Sequence, residues 1–255
     1  MITSLRLRAA SLAAGFHLIF SLIVAFLAGV LVFWLWYPYP YRELSGGREL
    51  FLLIVAVDVV CGPLLTLVLF NPAKPRAELW RDLGLVALIQ LAALGYGLFT
   101  VWLARPLFLA QEVDRFKVVM APDLDADAVA ALPPALKPLA WGGPRVVGIR
   151  PPVNQEEKNK VMFATIAGGR DYAERPEFYL PYEGENALKS LKSAKPLDRF
   201  LKRWPDQQAA ADKLALDKKL DLSKSVYLPV TGRQDWVAVL DAQGKIQGFL
   251  KGDGF

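Results

Sequence analysis

Asp58 is the residue whose chemistry most needs a reason. It is the single charged residue of Leu50–Phe70, in the run Val57-Asp58-Val59-Val60-Cys61-Gly62-Pro63-Leu64-Leu65-Thr66. A carboxylate in hydrocarbon costs ~2.5–3.5 kcal/mol even on the lenient insertion scale, so it must be neutral, paired, or turned toward a wet or protein-lined site. Pro63 cannot donate to the carbonyl of Val59, which predicts a kink or break there, and Gly62 lets another backbone approach closely. Three chemistries fit such a residue: a structural hydrogen bond between helices, a receiving site for a polar group on a partner's helix, or a proton or ion pathway. An intramembrane aspartyl protease would need a second Asp in another span, and the spans hold none.

His17, the only histidine, is the natural companion. Measured from the ends of their own apolar runs, His17 and Asp58 lie within roughly 10 Å of each other in depth. Sequence does not say whether they face each other, and a lone histidine is more often a satisfied structural residue. Cys61, the only cysteine, reads as a small buried residue, and no intramolecular disulfide is possible. Everything after Arg105 lacks both His and Cys. That excludes a His-based triad, a Cys nucleophile and the usual His/Cys zinc sites there.

These residues sit in membrane spans. Ser11–Trp36 has no Asp, Glu, Lys or Arg over 26 residues, which at helical rise reaches roughly 39 Å, more than the ~30 Å hydrocarbon core. Arg6 and Arg8 give it the basic start of a signal peptide. The apolar region is too long for one, however, and no small-residue cleavage site follows. Trp34, Trp36, Tyr37, Tyr39 and Tyr41 follow instead and read as an interfacial belt. The second span is 50–70, and the third, 83–104, carries Gln90. Pro38, Pro40 and Gly46-Gly47 interrupt the first connection, Pro72 and Pro75 the second. The N-terminus and second loop hold five basic residues (Arg6, Arg8, Lys74, Arg76, Arg81) and the first loop two (Arg42, Arg48). The positive-inside rule therefore predicts a cytoplasmic N-terminus and a periplasmic domain after Arg105.

The chain is thus two materials joined end to end: 1–104, three transmembrane helices (11–36, 50–70, 83–104), and 105–255, a soluble α+β domain. Of 30 Lys+Arg and 25 Asp+Glu, 23 and 20 lie from Arg105 onward. The balance is too mild and too mixed for nucleic-acid binding. Alternation toward the end of Gln111–Met120 predicts a strand, Asp125–Leu132 a short helix, Arg145–Arg150 a strand, and Glu156–Gly168 a helix stopped by Gly168-Gly169. Asn186–Leu220 reads as helical pieces divided by Pro196 and Pro205. Val226–Val230, Trp236–Leu240 and Lys245–Leu250, separated by turn signals, predict a terminal antiparallel meander.

Other motifs carry little chemistry. Lys189–Lys195 could dock an acidic surface but reads first as a solvated helix face. Gly168-Gly169-Arg170-Asp171 lacks the glycines and preceding strand of a phosphate loop. Asp123, Asp125 and Asp127 lack the Gly and distal Glu of a calcium loop. No metal or other cofactor is expected. An enzyme would have to use carboxylates such as Glu156 and Glu157, and adjacent acids usually point different ways.

Several stretches resemble the type IV pilin accessory proteins of the TfpX/TfpZ-like family: Ala14-Gly15-Phe16-His17-Leu18, Trp36-Tyr37-Pro38, Leu52–Thr66, Val113-Asp114-Arg115-Phe116, Ala167-Gly168-Gly169, Arg175-Pro176-Glu177 and Tyr227-Leu228-Pro229-Val230. Asp58 with Gly62-Pro63-Leu64-Leu65-Thr66 is the most specific of them. The resemblance implies a non-catalytic inner-membrane accessory factor, or chaperone, for a cognate type IV major pilin. Such a factor promotes assembly or surface piliation, or opposes retraction. The partners implied are that pilin, the pilus assembly machinery and membrane lipid. Pilins of this class carry an acidic residue near the start of their membrane helix and an N-terminal amine beside it. His17, Asp58, Gly62, Pro63 and Thr66 are the expected contacts for the partner helix, and Asp114, Arg115 and Phe116 the expected periplasmic contacts. The alternative is a small transporter or proton-coupled component using Asp58.

Overall fold

The computed structural model describes residues 4–139 and 141–255. It divides into two compact units, 1–38 with 47–103, and 39–46 with 104–255.

The first unit is three long helices, α1 (Ser4–Val30), α3 (Gly47–Leu69) and α4 (Arg76–Leu103), each long and apolar enough to cross a membrane. All three outrun their apolar cores. Arg6 and Arg8, Arg48 and Glu49, and Arg76 to Asp82 continue the helices, because backbone hydrogen bonding does not stop where hydrocarbon does. α1 passes into a π-helical turn, Leu31–Trp36, and α2 (Tyr41–Leu44) is one short turn. Pro63 lies inside an unbroken α3, so the expected break does not occur. Both α1 and α4 pack chiefly against α3. α4 buries Val86, Gln90, Leu94, Gly97 and Val101, a stripe of period close to 3.6. Gly97 is there because a methyl group would meet Ile54 at 2.6 Å. Small residues let the helices close up, as packing without a hydrophobic drive requires. Cys61 is on the exposed side of α3, not buried.

The second unit is an α+β fold on one mixed sheet, in the order β4-β3-β1-β2-β6-β7-β8 with β5 also on β6. Its strands are β1 (Pro106–Gln111), β2 (Phe116–Met120), β3 (Arg145–Ile149), β4 (Tyr179–Pro181), β5 (Lys195–Pro196), β6 (Val226–Thr231), β7 (Trp236–Leu240) and β8 (Ile246–Lys251). The expected terminal meander is β6–β8, antiparallel throughout. It joins a larger sheet through the parallel pairs β2/β6 and β1/β3. The helices are α5 (Ala126–Ala130), α6 (Gln155–Ile166), α7 (Glu185–Ser190), α8 (Leu197–Arg203) and α9 (Gln208–Lys218). Asn154 caps α6, and Gly168 takes φ +83° just past its end, a conformation open to glycine. Asp125 accepts from the amides of Asp127 and Ala128, so the alternating aspartates cap α5.

β1 is the element that hydrophobic patterning hides. All six of its residues are buried, because both faces of the sheet are covered. Leu109 joins one core with Phe116, Leu228, Trp236 and Leu240, whereas Phe108 and Ala110 join the opposite one with Val119, Leu132 and Val147. A strand buried on both sides loses its alternation, so the sequence carries no strand signal there.

The connection between the first two spans belongs to this second unit. Leu44 is fully buried and Tyr41 nearly so, both in the core of Phe116 and Trp236. The Leu44 carbonyl accepts from the Arg233 amide at 2.5 Å. The aromatic belt is therefore smaller than its composition suggests. Tyr41 serves the soluble core, Tyr37 is fully buried with its hydroxyl donating to the Val101 carbonyl at 2.9 Å, and Trp34 stays exposed. Residues 39–46 and 104–255 thus fold as one unit. Leu44→Ala should destabilise the second unit by roughly 2–4 kcal/mol, read as faster proteolysis of β6–β8. Leu88→Ala, at an exposed position on α4, should leave it unchanged.

Candidate functional site

The polar residues of the first unit converge on one place. α3 lines up Asp58, Gly62 and Thr66 at i, i+4 and i+8, so they share a face. His17 and Ser21 on α1, and Gln90 on α4, approach that face. His17 Nδ1 and Thr66 Oγ1 are 2.6 Å apart, with the direction of donation set by the imidazole tautomer. Gln90 Nε2 donates to the Asp58 carbonyl at 2.9 Å and lies 3.4 Å from Asp58 Oδ1. Sequence places Gln90 on the third span without a role. Its signal is its position in the buried stripe Val86-Gln90-Leu94, where an apolar residue would be the default.

Gly62 makes this contact possible. The Gln90 amide lies where a Cβ on Gly62 would be, so the close approach is by a side chain rather than by another backbone. Pro63 follows, removing the amide that the Val59 carbonyl would otherwise use. Of the expected membrane residues, Asp58, Gly62 and Thr66 share one face of α3, and His17 meets that face at Thr66.

A pocket of about 80 Å³ opens here, lined by His17, Phe20, Ser21 and Val24 of α1, Asp58 of α3, and Ala87, Gln90, Leu91 and Leu94 of α4. The α1 and α4 residues each follow an i, i+3, i+4, i+7 spacing, so two helical stripes form the walls and Asp58 the floor. At ~30 Å³ per water the space holds two or three waters, or the end of one polar side chain. Phe20 and Leu91 are largely exposed, leaving an apolar mouth for a longer hydrophobic body.

The expected periplasmic contacts divide. Asp114 and Arg115 form the turn between β1 and β2, with Arg115 Nε donating to Asp114 Oδ1 at 2.9 Å and its guanidinium 4.6 Å from the centre of the Phe255 ring. Both line a cleft of the second unit. Phe116 does not serve as a contact: it is fully buried, edge-on to Tyr182, as the first inward residue of β2. The same cleft contains Glu112, whose pKa is raised by burial first and by the neighbouring Asp171 second. Among the described residues, no group of three His, Cys, Asp or Glu could hold a metal ion.

Comparison with known proteins places these features in a family. A fimbrial assembly protein of Dichelobacter nodosus, serogroup I, is 34% identical over 245 residues, 95% of this chain and 95% of its own length. The chain belongs to the fimbrial assembly protein family. The serogroup E1 relative from the same organism is 32% identical over the same shares, and the protein of serogroups C1 and C2 is 42% identical over 114 residues, 45% of this chain and 87% of that relative. The family model described as Fimbrial assembly protein FimB matches residues 5–46, which take in His17 and most of α1. Membership agrees with the resemblance to type IV pilus accessory proteins. No solved structure matches the chain.

The packing around Gly62 makes a direct prediction for this fimbrial assembly protein. Gly62→Val should expel the Gln90 amide and destabilise the bundle by about 1–3 kcal/mol, measured by loss of helicity in detergent titration. Gly95→Val, where a Cβ meets nothing within 4 Å, is the control and should have no effect.

Proposed function

We propose that this protein is a non-catalytic inner-membrane accessory factor for fimbrial assembly. In this reading it holds the membrane helix of a cognate type IV major pilin before that subunit enters the fibre, and so promotes surface piliation. The observation that carries the proposal is the pocket between α1 and α4, floored by Asp58 and backed by Gln90 and His17. Its volume suits one polar side-chain end and its mouth is apolar. A pilin helix with an acidic group and an amine near its start has the matching chemistry. An amine would meet Asp58, and a carboxylate would meet His17 or the Gln90 amide. The relatives' names, fimbrial assembly protein, support the same role.

The proposed orientation has the N-terminus in the cytoplasm and the second unit in the periplasm. Two observations support it. Basic residues favour the N-terminus and second loop, and the first connection folds with the unit after the third span. The exported head of a membrane-held subunit would then share a compartment with that unit.

Asp58→Ala, at normal membrane level, should cut co-purified pilin and surface fimbriae by roughly fivefold or more, the equivalent of one buried hydrogen bond. Asp58→Asn keeps the hydrogen-bonding shape without the charge and should fall between. Unchanged fimbriation and co-purification in Asp58→Ala would remove the proposal.

A further inference from the structure

The second unit contains a cleft of about 700 Å³ that the membrane pocket does not explain. It lies outside the C-terminal ends of the parallel neighbours β1 and β3. The chain leaving β1 doubles back through Glu112–Arg115 into β2, whereas the chain leaving β3 runs on through Pro151-Pro152 toward α6. Diverging departures from parallel neighbours open a crevice, the arrangement in which open sheets receive ligands. Its size falls in the range of sites that enclose a ligand.

One polar group lining this cleft lacks a partner. The half-buried Glu112 carboxylate accepts no hydrogen bond among the described residues, although its own backbone carbonyl is taken by the Gln111 amide. A half-buried carboxylate without a hydrogen-bond partner marks a place where a ligand's donor would be favoured. The charges divide as well. Arg150 is held by both oxygens of Glu157 at 2.9 Å, and Arg115 by Asp114. Lys189 and Lys192 are exposed and form no ion pair among the described residues, Lys189 donating only to Asn186. The cleft therefore offers an unmatched acceptor, free cations and an apolar wall of Ile149, Pro151 and Pro152.

We propose that this cleft binds an extended acidic peptide segment of the assembly partner. A main-chain N–H of the peptide serves Glu112, an apolar side chain lies on the proline wall, and an Asp or Glu carboxylate meets Lys189 and Lys192. A peptide supplies amide donors, apolar surface and a separated anion together, and the open cleft admits a chain that continues at both ends. The proposal rests on the reading that the partner is a fimbrial subunit.

The test uses the full chain in nanodiscs, with overlapping twelve-residue peptides spanning the exported part of the fimbrial subunit from the same cell, followed by fluorescence anisotropy. At least one peptide containing Asp or Glu should bind. Lys189→Glu with Lys192→Glu should weaken it by roughly tenfold or more, and Glu112→Gln by about threefold. Lys160→Glu, on an exposed face of α6, should have no effect. Failure of every peptide, or equal binding by the double lysine variant, overturns the cleft proposal. If the peptides fail while the intact subunit still co-purifies in an Asp58-dependent way, the cleft proposal falls alone. Loss of both removes the functional reading too.

Discussion

A carboxylate among hydrocarbon-facing helices has to be matched by protein, and the first unit is arranged around that requirement. Asp58 would cost ~2.5–3.5 kcal/mol if left facing lipid. Gln90 Nε2 answers it from α4, 3.4 Å from Asp58 Oδ1, and Gly62 clears the space through which Gln90 reaches. His17 engages Thr66 two turns along the same face of α3. What is left between α1 and α4 is a small pocket with one polar floor and apolar lips.

The second unit answers a different constraint. A sheet covered on both faces needs apolar material on each side, and part of that material comes from outside the contiguous domain. Tyr41 and Leu44, from the link between the first two spans, complete the core of Phe116, Leu228 and Trp236. The unit is therefore joined to the spans at three points of the chain, before Tyr39, after Gly46 and before Ala104. The fimbrial assembly role proposed for the chain uses both units, one for a membrane helix and one for an exported segment.

Much of this was legible in the residues. Uncharged runs give three spans, turn signals give the β6–β8 meander, and an isolated Asp points to its own surroundings. Other features were hidden for definite physical reasons. Facing between helices depends on rotation about each axis, which composition does not encode, so Gln90 could be seen but not paired with Asp58. β1 lost its period because both its faces are buried. Phe116 lies next to a charged turn in sequence yet points into the core, since side chains alternate across a strand. Tyr37 and Tyr41 have the composition of an interfacial belt, and only tertiary packing shows that they are interior residues. Pro63 implied a break that does not occur within α3, where proline is tolerated by a helix packed against neighbours.

The central claim is that a partner's helix lies over the pocket between α1 and α4. Its most direct test places a photo-crosslinking amino acid at Phe20 or Leu91, on the pocket's exposed lips, and at Leu53, on an exposed part of α3 that does not line it. Irradiation of living cells should link the fimbrial subunit to positions 20 and 91 and not to 53. Equal crosslinking at all three positions, or none at 20 and 91 in cells that still make fimbriae, would contradict it.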